Sequence, residues 1–498
     1  MPDHRSYLRH FPPLFLALAL LSLYLYTMAP GLTWANGGSD GGDLITAAYT
    51  GGVAHPTGYP LYLIFARLFQ LVPIGTLPYR TNLMSAVAMV SAAVIIYRLV
   101  THSLQDQFQN HAWLAGLTAG FAFGLAPLVW SQAVITEVYA LQAVLTASIL
   151  YLFTFQFENI QLRMLDRVRG LSLGLAMGNH VTTALLIPLI LISGRGNMSD
   201  AGPRSSNLRP AASSLIRQLF WLAIGLLPYL TLPLRALTYP PINWGYPVTL
   251  RRFWWLVSGE LYRSYYLEFN LVEIWERLQA WASLLLQQFG WLGLVLGILG
   301  LVLFFTPSRL YLGTIWLGIS SSLFAIIYAS NDSYVYLMPV YISFAVWIGL
   351  GVGNALGKLP SSSSRVVVWG MSLLIAGYFA FRVPGYIHQV DASNDFRAEM
   401  FGMQVMAEVP NDALVFVKGD RAVFGLWYFH FALNQRPDLV VIAEELLHFD
   451  WYQETLQDAY PGLTVPGPFP WPQNVADANP ARPKCHVQYI DHAEIECK

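Results

Sequence analysis

Long apolar runs limit the possible folds of this chain more than any other feature. Several of them are close to the roughly 20 residues needed to cross a hydrocarbon core. Hydrophobic residues make up 55% of its 498 positions and charged residues only 11%, against about 25% in a typical soluble domain. The pattern predicts a polytopic membrane protein. No basic cluster is interleaved with aromatic residues in the sequence, so nucleic acid is not expected as a partner.

The positive residues between these runs predict the orientation, because Lys and Arg are enriched in cytoplasmic loops. Arg5 and Arg9 precede the first run, which is long for a signal-peptide core and is expected to stay as a membrane helix. The small residues of TMAPGLTWA would also suit signal-peptide cleavage. We expect a multi-pass protein of the cell (inner or plasma) membrane with about 10–11 membrane helices.

One apolar run, residues 170–194, is expected to begin and end on the same side of the membrane. Arginines lie at 163, 167 and 169 around its start and at 195, 204 and 209 beyond its end. Gly178, Asn179 and His180 interrupt the run. We therefore predict a re-entrant hairpin with His180 near its tip, since non-helical backbone at that depth needs protein or a water-filled cavity around it.

Two loops with many polar residues fall on the outer side in this topology, residues 30–80 and residues 237–275. The first contains NGGSDGGDLITAAYTGGVAHPTGYPLY. Residues 59–73 follow as an apolar segment that is too short to span and carries Arg67 and Gln70. That segment is predicted to be an interfacial or cavity-lining helix.

The chain changes character after residue 383. ALVFVKGD is typical of a buried strand that ends in a turn, and DLVVIAEELL of a strand followed by a helix. The predicted fold is an all-α polytopic membrane domain over 1–383 plus a small extracytoplasmic α/β domain over 384–498. Cys485 and Cys497 either form a disulfide on an oxidising side or stay as thiols, and the sequence leaves both alternatives open.

Polar residues on the predicted outer side are the candidates for chemistry, because ionisable groups at the border of a membrane are functional candidates by default. They are Asp40, Asp43, His55, Arg80, Glu137, His180, Arg235, Arg251, Arg252 and Asp332. Asp40 and Asp43 would share the first turn of a helix that starts near Ser39. Helix capping explains that spacing as well as catalysis does, but the glycines at 37, 38, 41 and 42 would let a bulky ligand approach both acids.

The first loop resembles a family signature. SDGGDLITAAYTGGVAHPTGYPLY is similar to D-S-G-E-L-I-T-A-A, then G-V-A-H-P-P-G-Y-P-L, in a bacterial and animal family of GT-C glycosyltransferases whose animal members are protein O-mannosyltransferases. Similar stretches cover most of the chain: WSQAVITEVYALQ, GLAMGNHVTTALL, LPLRAL, PPINWGYPVTLRRFWWLVSG, NDSYVYLMP and KGDRAVFGLWYFHFALNQRPDLVVI. Asp43 stands where the family usually has Glu, and Thr57 where it has Pro.

This resemblance implies a GT-C-like enzyme that moves a sugar, with mannose expected, from a polyprenyl-phosphate donor to an acceptor hydroxyl with inversion. The catalytic base would be Asp40 by preference, or else Asp43. The donor phosphate would be held by Arg235 first, with His55, His180 and Arg80 as further candidates. The sugar or the protein or glycan acceptor would contact Glu137, Trp244, Asp332 and Tyr336. No covalently bound cofactor is expected, and no ligand spacing in the sequence indicates a divalent cation.

Two non-enzymatic functions compete with this interpretation. A transporter of lipid-linked sugars would typically show internal repeats and paired broken helices, whereas one broken segment without a counterpart is seen here. A non-catalytic subunit of a membrane complex would keep the fold and lose the activity, and the departures at Asp43 and Thr57 are compatible with that. The sequence does not identify the sugar, the acceptor or the oligomeric state.

Overall fold

The computed structural model describes residues 4–105, 112–156, 160–193, 212–265, 271–303, 308–358, 365–467 and 470–498. The arginines at 195, 204 and 209, on which the hairpin prediction partly rested, lie outside these residues. Helices of the membrane domain, in chain order, are α1 (His4–Thr27), α2 (Gly41–Thr50), α3 (Pro60–Gln70), α4 (Leu77–Leu104), α5 (Ala112–Gly124), α6 (Pro127–Ala133), α7 (Tyr139–Thr154), α8 (Leu162–Met177), α9 (Leu189–Ser193), α10 (Ala212–Gly225), α11 (Thr231–Ala236), α12 (Leu250–Val257), α13 (Leu271–Leu303), α14 (Arg309–Ile327), α15 (Met338–Gly357) and α16 (Arg365–Val390).

Within the described residues, five helical segments are long and apolar enough to cross a membrane: Leu77–Leu104, Ala212–Ala236, Val272–Leu303, Arg309–Ile327 and Ser333–Gly357. Helices α5 and α6 make a sixth if they count as one span, bent by 70° at the break before Pro127. Shorter apolar helices lie at Phe11–Thr27, Tyr139–Thr154 and Val181–Leu191. The protein is therefore a multi-pass membrane protein. Within the part of the chain that the structure describes, full-length spans are fewer than the 10–11 membrane helices expected, because breaks and bends divide several apolar runs.

Helices α8 and α10 pack closely and show how the region of the predicted hairpin is built. A side chain at Gly170 would collide with the Gln218 carbonyl, and one at Gly174 with the Leu222 carbonyl. These contacts advance in the same direction along both helices, so α8 and α10 run parallel. Because α8 ends at Met177, His180 lies where the chain leaves α8 and enters the short helical turn Val181–Leu186. Its place at the tip of a re-entrant hairpin stays a prediction.

One end of the bundle, called the loop end below, is formed by residues 28–59, 134–138, 237–265 and 328–337. Backbone hydrogen bonds connect these segments: Ala29 N donates to the Val134 carbonyl (3.1 Å), Val53 N to the Ile242 carbonyl (3.0 Å) and Ala329 N to the Tyr265 carbonyl (3.0 Å). Helix α3, predicted over 59–73, lies at this end as Pro60–Gln70.

A small mixed sheet follows the bundle and will be called the sheet domain. Its elements are α17 (Arg397–Glu408), β1 (Leu414–Lys418), α18 (Asp420–Trp427), β2 (Val440–Ala443), α19 (Asp450–Ala459), α20 (Pro472–Ala478), β3 (Lys484–Tyr489) and β4 (Ala493–Cys497). The strand order is β2-β1-β3-β4, with β1 parallel to both β2 and β3 and with β4 antiparallel to β3. Cys485 and Cys497 are paired across β3 and β4 and form a disulfide.

The sheet domain and the loop end share one hydrophobic core. Trp34 of the first loop packs against Phe401 and Tyr489, with ring centroids 5.4 Å and 4.4 Å apart. Asp395 Oδ2 accepts hydrogen bonds from Thr33 Oγ1 (2.6 Å) and from the backbone N–H of Trp34 (2.9 Å). The sheet domain is therefore fixed against the first loop.

Candidate active site

Helix α2 positions the two aspartates of the first loop. It begins at Gly41, so Asp40 occupies the N-cap position and Asp43 lies in the first turn. The Asp40 carbonyl accepts a hydrogen bond from Leu44 N (3.0 Å), but the Asp40 side chain makes no capping hydrogen bond. Asp40 therefore occupies the capping position through its backbone, while its carboxylate takes no part in capping and can serve another role.

The carboxylate of Asp43 is fully buried, with 0% of the side chain exposed. Its Oδ2 accepts from the backbone N–H (3.0 Å) and the ring Nδ1 (2.7 Å) of His55, and its Oδ1 accepts from Trp244 Nε1 (3.1 Å). A buried carboxylate requires such donors. Asp43 therefore fixes the orientation of the His55 ring and of Trp244, and neither of its oxygens faces open space.

His55 lies between the two aspartates. Its Nδ1 is bound to Asp43, and its Nε2 lies 3.4 Å from Asp40 Oδ2. Burial disfavours the charged ring, but Asp40 and Asp43 outweigh that effect and raise the pKa of His55 to about 9. The ring is thus an imidazolium at neutral pH, placed between two carboxylates.

Asp40 is the accessible member of the pair, with 33% of its side chain exposed. Ser39 Oγ donates to its Oδ1 (3.2 Å). Burial among neighbouring groups raises the pKa of Asp40, His55 opposes that rise, and Asp43 and Asp332 add to it. The described residues contain no group of three or more His, Cys, Asp or Glu side chains arranged to hold a metal ion.

The second outer loop holds the first loop in place. The backbone N–H of Val53, in the first loop, donates to the carbonyl of Ile242 in the second, and Trp244 N donates back to the Val53 carbonyl (3.3 Å). Arg235, half-buried near the end of α11, donates from Nη1 to the Gly52 carbonyl (3.2 Å). The structure therefore brings Arg235 and Trp244 to the loop that carries His55.

An aromatic path leads from the aspartates to a pocket beside His180. The Tyr59 ring centroid lies 5.0 Å from that of His55 and 5.9 Å from that of His180, and His180 lies 5.6 Å from Tyr336. The pocket is lined by side chains that include Tyr139, Gln142, His180, Thr182, Ser321 and Tyr336. His180 and Tyr336 therefore belong to one pocket, separated from the aspartates by the Tyr59 ring.

Two further acids lie near Asp40. Glu137 is buried, and its carboxylate accepts hydrogen bonds from the backbone N–H groups of Asp40 and Val138. Burial, and then the charges of Asp40 and Asp332, raise the pKa of Glu137 well above its usual range. Asp332 is exposed in front of the turn Ser333–Leu337. Glu137 thus holds the start of α2 in place, while Asp332 lies exposed to solvent.

Arg80 has a different environment from the other predicted phosphate ligands. Its guanidinium donates to the carbonyls of Gln70 (2.7 Å), Ile74 (2.8 Å) and Gly75 (3.1 Å). These contacts direct Arg80 to the turn that follows α3 rather than to the aspartates.

The sheet domain supplies site residues to which the sequence assigned no role. Phe424 of α18 stacks on His55, with centroids 6.1 Å apart and planes inclined by 15°. A side chain at Gly42 would collide with the Phe424 carbonyl, so α2 and α18 are in direct contact. The stretch KGDRAVFGLW carried part of the family resemblance, which was the only signal available from the sequence for these residues.

Comparison with known proteins gives matches to two family models. The protein O-mannosyl-transferase TMEM260 N-terminal domain matches residues 40–193, and the TMEM260-associated domain 2 matches residues 398–479. The protein O-mannosyl-transferase TMEM260 of Mus musculus is 26% identical over 462 residues, which cover 86% of this chain and 62% of that protein. Its namesake from Dictyostelium discoideum is 24% identical over 501 residues, which cover 89% and 58%. The chain thus spans about three fifths of the length of these relatives.

Solved structures show the fold. The crystal structure of ArnT from Cupriavidus metallidurans bound to undecaprenyl phosphate superimposes with a TM-score of 0.57 at 11% identity and covers 98% of this chain and 94% of that one. The Archaeoglobus fulgidus oligosaccharyltransferase, in complex with Zn and sulfate, gives a TM-score of 0.50 at 12% identity over 90% and 66%. The fold prediction, a GT-C membrane bundle followed by a small C-terminal sheet domain, is confirmed.

Proposed function

We propose that this chain, a relative of the TMEM260 protein O-mannosyl-transferases with a GT-C fold, is a membrane glycosyltransferase. It would move a sugar, mannose by the names of its relatives, from a polyprenyl-phosphate donor to an acceptor hydroxyl. The observation that carries the proposal is the unequal pair of carboxylates on α2: Asp43 is buried and satisfied, whereas Asp40 is one-third exposed beside the His55 ring.

Asp40 is the proposed base. It takes the proton of the acceptor hydroxyl while that oxygen attacks the anomeric carbon and the polyprenyl phosphate leaves from the opposite face, which inverts the configuration. Such a base needs an oxygen within hydrogen-bond reach of the substrate, and the exposure of Asp40 supports this assignment. Asp43 is proposed to position His55, whose charge lowers the pKa of Asp40 and so favours the ionised base.

Arg235 is the proposed phosphate ligand. One of its N–H groups is bound to Gly52, and the guanidinium has further donors that match phosphate oxygens. A phosphate leaving group needs no strong general acid, so it is sufficient that Arg235 neutralises part of the negative charge of the departing phosphate. Exposed Phe65, Leu68 and Leu71, on α3 and directly after it, would give the polyprenyl chain an apolar approach. His180 and Tyr336, with Asp332 nearby, stay proposed for the sugar or the acceptor.

We place the site on the outer face of the membrane in this proposal. The disulfide between Cys485 and Cys497 suits an oxidising compartment, and the sheet domain that contains it is fixed to the loop end. Arg163 and Arg167, at the start of α8, lie away from the predicted hairpin tip near His180, as expected for a cytoplasmic end.

The test is release of polyprenyl phosphate by purified protein given polyprenyl-phosphate mannose and cell-envelope extract. We expect release coupled to mannose transfer, and a KM for the donor that rises about tenfold in Arg235→Met, because a charge-assisted hydrogen bond is lost. Arg98→Met is the control, since Arg98 is an exposed arginine of α4 outside the loop end. Folded wild type that releases no polyprenyl phosphate from any such donor would overturn the proposal.

A further inference from the structure

Helix α18 presents an acid to the candidate active site from the sheet domain. It begins at Asp420, and Phe424 follows one turn later. Residues four apart lie on the same face of a helix, and Phe424 stacks on His55. The face of α18 that carries Asp420 is therefore the face turned toward Asp40 and His55.

The effects of Asp40 and Asp43 on the pKa of Asp420 also indicate that it lies near them. This evidence is separate from the stacking of Phe424 on His55. Partial desolvation by the surrounding protein, and then the charge of Asp40, raise the pKa of Asp420 to about 6, with His55 opposing the rise and Glu445 and Asp43 adding to it. Burial, and then the charges of Asp40 and Asp420, raise the pKa of Tyr262 in the second outer loop, and Asp43 adds to the rise. These groups therefore surround one space, bounded by α2, α18 and the turn Glu260–Tyr265.

The carboxylate of Asp420 is accessible in that space. Its side chain is exposed, and the described residues offer it neither a hydrogen-bond donor nor an ion pair. Asp40 has only Ser39 and the more distant His55 Nε2. Two accessible acceptors thus face a common space, and hydroxyl groups can donate hydrogen bonds to both without adding charge.

We propose that Asp420 is a substrate-binding residue that the sheet domain contributes to the site, where its carboxylate accepts a hydrogen bond from a hydroxyl of the molecule held against Asp40. This inference rests on the function proposed above and adds a specificity-determining contact to it. The hydroxyl belongs either to the transferred sugar or to the acceptor. Both have the same chemistry, and separate measurements on donor and acceptor distinguish them.

The test compares Asp420→Asn with Glu408→Gln, which neutralises an exposed acid elsewhere in the sheet domain. In Asp420→Asn we expect one KM, either for polyprenyl-phosphate mannose or for a Ser/Thr-rich peptide acceptor, to rise about tenfold or more, because a hydrogen bond to a charged group is lost. The substrate whose KM rises is the source of the hydroxyl. Asn is also compatible with a helix start, so Asp420→Asn should keep α18 folded. Asp420→Glu keeps the charge and should reverse much of the rise in KM.

Binding without turnover separates this inference from the proposed function. Isothermal titration with farnesyl-phosphate mannose and with the peptide would be run on wild type and both variants. If wild type turns over and Asp420→Asn matches Glu408→Gln in both KM values, the inference is overturned and the function stands. If wild type does not turn over, but one probe binds wild type and binds Asp420→Asn about tenfold more weakly, the function falls and the contact stands. Equal binding of both probes by all three proteins overturns the contact.

Discussion

At the scale of single residues, Asp40 and Asp43 show that surroundings decide what a carboxylate can do. They lie three positions apart on one helix start, yet Asp43 is enclosed by three donors while Asp40 is one-third exposed. A carboxylate whose oxygens are all satisfied by protein groups is suited to positioning. One with an accessible oxygen is suited to proton transfer.

Replacing each aspartate by asparagine should separate these roles. Asp40→Asn is expected to fold normally and to lower kcat by about 100-fold or more, the usual contribution of a general base. Asp43→Asn turns one oxygen into a donor that faces His55 or Trp244, so it should also destabilise the fold by about 1–3 kcal/mol. Thermal unfolding and kcat of both variants check this, and equal unfolding temperatures with equal losses of kcat would contradict it.

His55 should set the acidic limb of the pH profile. The base must be ionised, so kcat/KM falls as the pH falls through the pKa of Asp40, which His55 lowers. His55→Asn removes that cation, and the acidic limb is expected to move to higher pH. His448→Asn, at an exposed histidine of the sheet domain, is the control and should leave the limb in place. An acidic limb that keeps its position or moves to lower pH in His55→Asn would show that His55 does not act on the base.

At the scale of elements, α2 is one of the contacts between the bundle and the sheet domain. Gly42 lies against the carbonyl of Phe424, whereas a side chain at Gly41 would rest against Thr136 at an ordinary 3.6 Å. A side chain therefore fits at position 41 but not at position 42, although both glycines lie in the first turn of the same helix.

Substituting each glycine by alanine tests that contact. Gly42→Ala is expected to push α18 away from α2, to lower activity and to raise the sensitivity of the sheet domain to limited proteolysis. Gly41→Ala should leave activity intact and stabilise α2 by up to about 1 kcal/mol through helix propensity. Matching protease patterns and activities for the two variants would argue against close packing of α2 on α18.

Elements with a strong local pattern could be predicted from the sequence. The run around Leu414–Lys418 forms a strand, and the apolar segment within the first loop forms α3, because each pattern is contained in a few consecutive residues. The contacts that complete the site have no such pattern. The Trp244 hydrogen bond to Asp43 joins residues 201 positions apart, and Phe424 reaches His55 only through tertiary packing, so periodicity could not reveal either.

At the scale of the whole molecule, the sheet domain is part of the candidate active site. It shares a core with the loop end and is held by the contacts of Trp34 and Asp395. Its own edge is closed by the disulfide between Cys485 and Cys497. A change that loosens the sheet domain should therefore reach the aspartates through α18.

Removal of the disulfide tests that dependence. The double variant Cys485→Ala with Cys497→Ala is expected to lower the free energy of unfolding of the sheet domain by about 2–3 kcal/mol, as for a cross-link that closes a short loop. Activity should be lost at a correspondingly lower temperature. Maleimide labelling of denatured wild type before and after reduction reports whether the bridge is formed. Unchanged thermal inactivation in the double variant would show that the sheet domain and the site are not coupled.

The most direct measurement is a structure of the protein with a non-hydrolysable polyprenyl-phosphonate sugar bound. We expect the anomeric carbon to lie in front of Asp40, with room for one hydroxyl oxygen between them, and the phosphonate to contact Arg235. A sugar bound with its anomeric carbon away from Asp40, or a phosphonate held at the far end of the bundle, would contradict it.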